Sequence, residues 1–381
     1  MITDLRLQQF RSYTDDSFEL SPGVNIIVGP NASGKTNLLE AVLMLARGSS
    51  YRAHDTELVQ HEQPWARLDC HSDQGGQRTV KIVVGEQPGQ PLDQPNATSN
   101  TMINLNSQQP TKTGKADKSY ELDGQPFQRL TMARSLPVVL FEPNHLRLFG
   151  GGPERRRDYL DDLLEQTVAG YGTTRRHYRR ALAQRNNLLK QSADGSIQAR
   201  LFPWDVRLSQ LAGIIVRARH DLVTGLGVDL TGLYQQLSGT NTVVTVKYSN
   251  RWPTDSYESQ FLSKLAASQA DDQQRGFTGS GPHREDLTVL FDSRPAQEMA
   301  SRGEVRTVVL ALKILELKIL QAARDGQAPL LLLDDVFSEL DGRRRHALTD
   351  YLAPYQTFIT TTDADLVLQH FAERCHVIPL S

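Results

Sequence analysis

Two stretches of this sequence place residues at spacings suited to phosphate chemistry. Gly29-Pro30-Asn31-Ala32-Ser33-Gly34-Lys35-Thr36 fits GxxxxGK[ST] without a mismatch, followed by Asn37. In such a loop the glycines let the backbone turn its amides toward phosphate oxygens. Lys35 then reaches the β and γ phosphates of a nucleoside triphosphate, and the Thr36 hydroxyl can ligate Mg²⁺. An ordinary glycine turn is the plainer reading. The context argues against it: a short apolar run at 24–28 precedes the loop, and TNLLEAVLMLAR from Thr36 carries apolar residues at helical spacing before ending at Gly48.

The second stretch is the strongly apolar run at 330–333, which meets Asp334 and Asp335. A buried strand that ends in two adjacent carboxylates is costly unless they meet a cation, so Asp334 is the expected Mg²⁺ ligand and Asp335 the group that acts on water. About thirty residues upstream, Ser301-Arg302-Gly303-Glu304 opens a long predicted helix. Ser-x-Gly there is compatible with an ordinary N-cap. It also has the form of an ABC signature, in which a helix N-terminus contacts ATP held by a second subunit. Ser338 and Asp341 follow the acids in the manner of a D-loop, and Thr362 follows the next predicted strand at the switch position of ABC proteins.

The elements that must position these residues are legible in outline. Leu5, Leu7, Phe18 and Leu20 alternate as in strands, and strands resume at 66–84. The stretch 86–118, rich in Gln, Asn, Pro, Thr and Ser, reads as a disordered surface loop, and Asp123-Gly124 signals a hairpin. From 153 to 237 charged and apolar residues interleave with helical periodicity, interrupted near Asp194-Gly195 and Pro203, which predicts three or four helices. After Pro282 come a strand, a long helix from about Arg302, and strands at 329–333 and 357–361.

The fold expected is α/β: an ABC-type P-loop head, lobe I, with a mixed sheet and helices, and an inserted, mainly helical lobe II. The expected domains are 1–138, 139–300 and 301–381, the last returning to lobe I. A length of 381 residues is ample for such a core. Cys70 and Cys375 form no CxxC, so neither a disulfide framework nor a zinc site is indicated. No apolar stretch approaches a membrane span and no leader is visible, so a soluble cytoplasmic protein is expected. With a net charge of −2, nucleic-acid binding would need a local basic patch. The segment 171–190 offers one: Arg175, Arg176, Arg179, Arg180, Arg185 and Lys190 with no acid among them. A solvated face with ion pairs to Asp158, Asp161 and Asp162 is the equal alternative.

Several further segments carry a resemblance. GPNASGKTNLLEAV, the early Phe10-Arg11-Ser12-Tyr13, Ser50-Tyr51-Arg52, FEPNHLRLFGGGPERRRDYLD from Phe141, YRRALAQRNNLLK from Tyr178, Gly281-Pro282-His283-Arg284 and LLLDDVFSELD stand in order along nearly the whole chain. Together they resemble the RecF family. The resemblance implies an ATP- and Mg²⁺-dependent homodimer that binds single-strand gaps and adjoining duplex DNA. It also implies RecR, RecO and RecA as partners, with slow hydrolysis releasing DNA. Departures are Ala32 at a usual Gly, acceptable if its φ stays negative, Glu304 at the signature's common Gln, Thr362 where transporter ATPases have His, and the insert at 86–118. Two other classes remain. A transporter's nucleotide-binding subunit is disfavoured by Thr362 and the helical insert; a small-molecule P-loop kinase needs no Ser301 or Gly303 in trans. A long SMC coiled coil does not fit this length.

Overall fold

The computed structural model describes residues 1–85, 116–191, 197–371 and 375–381. They divide into two compact units, 1–136 with 358–365 and 372–381, and 137–357 with 366–371. The proposed surface loop at 86–118 therefore lies outside the described residues apart from 116–118, and so does the expected helix break at Asp194-Gly195.

In the first unit β1 (Ile2–Phe10) and β2 (Tyr13–Glu19) form a hairpin whose alternation buries Ile2, Leu5, Leu7 and Phe10. β3 (Val24–Val28) runs into α1 (Lys35–Arg47), followed by the single turn α2 (Asp55–Leu58). β4 (Trp65–Ser72), β5 (Gln77–Val84), β6 (Ala116–Leu122) and β7 (Gln125–Phe127) extend the first hairpin into a six-stranded antiparallel sheet ordered β2-β1-β4-β5-β6-β7. Residues 116–118 are thus strand and not loop: Ala116 pairs with Val84, and Lys118 pairs with Ile82 and bonds Asp55 at 2.7 Å. The Asp123-Gly124 signal is a hairpin turn with φ of 51° and 77°, the sign a type I′ turn requires at both positions. α1 packs on β4 and β5, and residues 38–46 are all buried, so its two-sided burial exceeds what one amphipathic stripe would give. It stops at Gly48 (φ 74°), whose N–H reaches the Met44 carbonyl at 2.8 Å.

The second unit opens with β8 (Val138–Phe141), then α3 (Pro153–Thr167), α4 (Tyr171–Leu189) and the 42-residue α5 (Ile197–Ser238). Pro203 does not break α5, contrary to expectation. Leu201, Asp205 and Leu208 on either side of it are buried, and that packing carries the helix through the one backbone hydrogen bond proline removes. β9 (Val244–Ser249), α6 (Tyr257–Ala267), α7 (Gln269–Arg275), β10 (Asp286–Phe291), β11 (Arg294–Pro295) and α8 (Ala296–Met299) follow. The LTVLF strand is therefore the middle of a three-stranded antiparallel sheet ordered β11-β10-β9, and β9 has no counterpart in the sequence reading. α9 (Arg302–Ala323), β12 (Leu330–Asp334), α10 (Val336–Glu339) and α11 (Gly342–Leu352) continue the unit, with β12 parallel to β8.

β13 (Thr357–Thr361) then leads back to the first unit, and after α12 (Ala364–Phe371) β14 (Cys375–Pro379) runs parallel to β3 from Cys375↔Val24 to Pro379↔Val28. β14 thus lies beside the strand that leads into the P-loop. No described helix is long and apolar enough to cross a membrane.

Arg185 of α4 is fully buried, so it is not part of any DNA-facing stripe. Its guanidinium bonds Asp205 at 2.6 Å, Asp272 at 2.8 Å and Thr278 at 2.9 Å, pinning α4, α5 and α7 together. Arg185→Ala leaves two buried carboxylates without their cation and is expected to cost about 3–5 kcal/mol, read as a lower midpoint in urea unfolding.

Candidate nucleotide site and basic helix

The P-loop residues sit between β3 and α1 with the geometry of a phosphate cradle. Gly34, the N-cap of α1, has φ 98° and supplies no side-chain cap, so the positive end of a 13-residue helix faces the loop. Space around the loop is tight. A Cβ on Gly29 would stand 2.5 Å from Ser33 Oγ and 2.6 Å from the Leu380 carbonyl, and one on Gly34 would stand 3.0 Å from Ser12 Oγ and Tyr13 Oη. Lys35 is 8% exposed, and its Nζ donates to the Gly29 and Pro30 carbonyls at 2.8 Å each. Ala32 has φ 70°, so the condition of a negative φ is not met. The loop keeps the backbone of the usual glycine there, and the Cβ bears a left-handed conformation that costs roughly 1 kcal/mol. These residues fit a bound triphosphate: a glycine cradle, a helix terminus and a lysine within reach of the loop.

Behind the loop lies a carboxylate that sequence reasoning missed. Glu40 is fully buried on α1 and bonds Arg11 through Nε at 2.9 Å and Nη2 at 3.1 Å, Arg52 at 3.0 Å and Ser50 at 2.5 Å. Burial pushes its pKa up. The hydrogen bonds from Arg11, Arg52 and Ser50 and the charge of Arg11 outweigh burial and hold the carboxyl below the usual range. Arg52 also bonds Asn37 Oδ1 at 2.8 Å, Asn37 donates to Ser12 Oγ at 3.0 Å, and Tyr13 donates to the Gly34 carbonyl at 3.1 Å. Phe10-to-Tyr13 and Ser50-to-Arg52 therefore buttress the P-loop. The available signal was one acid inside the otherwise apolar LLEAV face.

The acids and the signature lie in the second unit. β12 buries 330–334, and Asp334 is 8% exposed. Asp335 takes φ 55°, a strained conformation of the kind found at functional sites, with Ser338 Oγ donating to its carbonyl at 2.7 Å. Ser301 caps α9: its Oγ accepts the Glu304 N–H at 3.2 Å while the Glu304 carboxylate accepts the Ser301 N–H at 2.7 Å. Glu304, unusual at this position, is thereby folded back on its own helix end. Arg344 donates to the Gly303 carbonyl at 2.9 Å, to Thr307 Oγ1 at 2.8 Å and to Asp341, while Arg306 bonds Glu339 at 3.0 Å. These two arginines lock the signature turn to the D-loop. In the first unit Thr361 is buried and its Oγ1 accepts the Asp363 N–H at 3.1 Å, leaving the neighbouring Thr362 exposed.

On α4 the basic residues split. Arg175 is 13% exposed and engaged by Asp158 at 2.7 Å, Asp161 at 2.8 Å and Glu165 at 3.2 Å. Arg176, Arg179 and Arg180 are exposed, with Arg179 3.7 Å from Asp158. Of the original stripe these three arginines, with Lys190 at the end of the helix, remain exposed. Gly281-Pro282-His283-Arg284 is a turn closed by Arg284 N–H to the Gly281 carbonyl at 2.8 Å. Gly281 has φ 122°, and a Cβ there would meet Phe261 and Tyr178 at 2.8 Å. His283 Nδ1 and Tyr178 Oη lie 2.7 Å apart, and Nε2 lies 3.1 Å from the Thr278 carbonyl. Only an Nε2–H tautomer satisfies both, with the tyrosine donating to Nδ1. Burial above all lowers the His283 pKa to about 4.

Two measurements follow from these geometries. Ala32→Gly relieves the left-handed strain at the cost of some unfolded-state entropy, and a net gain of about 0.5 kcal/mol is expected in chemical denaturation. Unfolding releases His283 to an ordinary histidine pKa, so the unfolded chain binds the extra proton between about pH 6.5 and 4. Stability should fall as pH is lowered through that window, and His283→Gln should flatten the slope.

Residues 1–378 match the model of the RecF/RecN/SMC N-terminal domain. The DNA replication and repair protein RecF of Roseiflexus castenholzii is 35% identical, covering 96% of this chain and 94% of that protein; that of Herpetosiphon aurantiacus is 34% identical with the same coverage. Among solved structures, the recombination mediator protein RecF-ATP in the RecFOR pathway superposes with a TM-score of 0.77 at 26% identity over 95% of this chain and 92% of that one. Its RecF-ATPrS counterpart gives 0.81, also at 26% identity, over 100% and 97%. The Smc head of Pyrococcus yayanosii, at 12% identity, 100% and 95% coverage and a TM-score of 0.52, shares the fold. A phosphate loop and a capped signature helix within a chain alike from end to end to these proteins lead to one conclusion: this chain belongs to the RecF family of ABC-type ATPases.

Proposed function

We propose that the protein is an ATP-switched homodimer that holds duplex DNA beside single-strand gaps during recombinational repair. The observation that carries the reading is the coexistence, in a chain that matches RecF proteins along its length, of a P-loop cradle and a signature turn built to present a helix N-terminus. ATP with Mg²⁺ supplies the charge that joins two subunits and the anhydride whose slow hydrolysis lets them part. In this reading residues 29–37 bind the triphosphate, with Lys35 on its phosphates, and Thr36 and Asp334 hold Mg²⁺. Asp335 and Thr362 orient the attacking water. The turn at 301–304 addresses the nucleotide held by the other subunit, and Ser338 and Asp341 lie along the same interface. Lobe I comprises 1–138 and 301–381, lobe II 139–300.

Exposed Arg176, Arg179 and Arg180 are the proposed phosphate contacts, while Arg175 serves the fold of its own helix pair. The RecFOR pathway named for the solved relatives makes RecR and RecO the partners to test, with RecA loading as the outcome, in the cytoplasm.

The test is fluorescence anisotropy of a labelled gapped duplex with and without ATP and Mg²⁺ at two salt concentrations, alongside gel filtration. Wild type should dimerise and bind with ATP. Lys35→Ala should do neither, weakening binding at least about tenfold, and Arg176→Ala/Arg179→Ala/Arg180→Ala should flatten the salt dependence by up to about 2.7 in log–log slope. ATP-driven dimerisation that survives in Lys35→Ala would refute the switch.

A further inference from the structure

A cleft of about 1100 Å³ opens in the second unit between the segment after β8, the first turn of α3 and the start of α9. Five arginines line it: Arg147, Arg155, Arg156, Arg302 and Arg306, of which Arg156 is paired with Asp286. The single acid in its lining is Glu339, and Arg306 already bonds that acid at 3.0 Å. Arg147, Arg155 and Arg302 are exposed, and among the described residues none has a carboxylate within ion-pairing distance. Three positive charges therefore face one concavity without compensation. They repel one another there, and a concave low-dielectric wall focuses their field.

The wall is fixed in advance. Arg156, 5% exposed, donates to the Gly151 carbonyl at 2.8 Å and the Leu148 carbonyl at 3.3 Å, and holds Asp286 of β10 through two bonds of 2.7 Å. That anchor clamps the 148–151 backbone against the sheet. Gly151 lacks a Cβ where one would stand 3.0 Å from Arg155 Cδ, so the Arg155 side chain lies across the glycine beside the backbone of Arg147. The segment Phe149-Gly150-Gly151-Gly152 thus has a use beyond turning the chain: it brings two arginines to the same wall.

We propose that this cleft is a second phosphate-binding site, sharing no residue with the P-loop, that takes the phosphates of a single-stranded nucleic-acid backbone. Charge sets the sign of the ligand. An all-arginine donor set favours planar, bidentate contact with phosphate oxygens. The volume exceeds that of one phosphate and suits a run of nucleotides or a single whole one. A free nucleotide offers the same chemistry and is the other source. The inference stands on the cleft and not on the ATP-driven dimer.

The test uses full-length protein carrying Lys35→Ala, without ATP or Mg²⁺, so that neither the P-loop nor nucleotide-driven assembly contributes. A fluorescein-labelled oligothymidylate is titrated by anisotropy across salt concentrations, and AMP by calorimetry, with and without Arg147→Ala/Arg155→Ala. Arg302 is left intact because it belongs to the signature turn. The expected result is roughly tenfold weaker oligonucleotide binding in the double variant near ~0.1 M salt, with a slope shallower by about 1.4, at an unchanged thermal midpoint. AMP binding lost with oligonucleotide binding unchanged would uphold the phosphate site and assign it to a free nucleotide. If the thermal midpoint falls, Arg147→Lys/Arg155→Lys, which keeps charge and bulk, should restore both stability and most of the binding. Identical isotherms and slopes for both probes, with and without the substitutions, would overturn the proposal.

Discussion

A single buried carboxylate organises the nucleotide-binding half of the protein. Glu40 stands in a buried stretch of α1, 38–46, whose other residues are apolar, and an ionised group in that setting survives only if every oxygen is matched. Arg11, Ser50 and Arg52 do the matching from two separate segments: the β1–β2 turn, where Arg11 takes φ 53°, and the loop after α1, which supplies Ser50 and Arg52. Because leaving such a charge unmatched costs several kcal/mol, the turn and the loop are held where Glu40 requires them. Ser12, Tyr13 and Arg52 then reach Asn37 and the Gly34 carbonyl, so the electrostatics of one acid set the shape of the phosphate cradle.

The second unit uses the same device with the sign reversed. Arg185 and Arg219 are buried cations on long helices. Arg219 is matched by Asp161 at 2.9 and 3.0 Å, the Tyr248 hydroxyl at 3.1 Å and the Pro282 carbonyl at 2.8 Å. Tyr248 in turn shares Glu285 with Tyr257, at 2.8 and 2.7 Å. Such networks add little net stability over an apolar core of the same shape. Their directional bonds do select one packing of α3, α4, α5 and β9 over alternatives in which any member is left unmatched. They also explain why a chain of near-neutral net charge carries so many arginines inside.

Around the signature the arginines act at shorter range. Arg344 and Arg306 couple the α9 N-terminus to 339–341, so the two motifs read separately along the chain move as one piece. The Ser301–Glu304 capping box leaves the helix end ordered while spending the Glu304 carboxylate locally.

The sequence by itself determined what depends on local order. The P-loop string between strand and helix, the apolar run into Asp334 and Asp335, the Asp123-Gly124 turn and the Ser-x-x-Glu helix start all follow from interactions a few residues apart, and these survive any change of tertiary setting. Tertiary structure decided what depends on partners distant in the chain. Basic residues of one helix, indistinguishable in the string, became a core post (Arg185), a member of an acid cluster (Arg175) and three exposed cations (Arg176, Arg179, Arg180), according to which acids the fold brought near. Pro203 stayed inside a helix because packing on both sides outweighed one lost hydrogen bond, and β9 formed because β10 offered it an edge. Ala32 took a positive φ because the loop around it is fixed by its neighbours. Periodicity reports the face a residue occupies, whereas the charge it meets there is set by segments tens to hundreds of residues away.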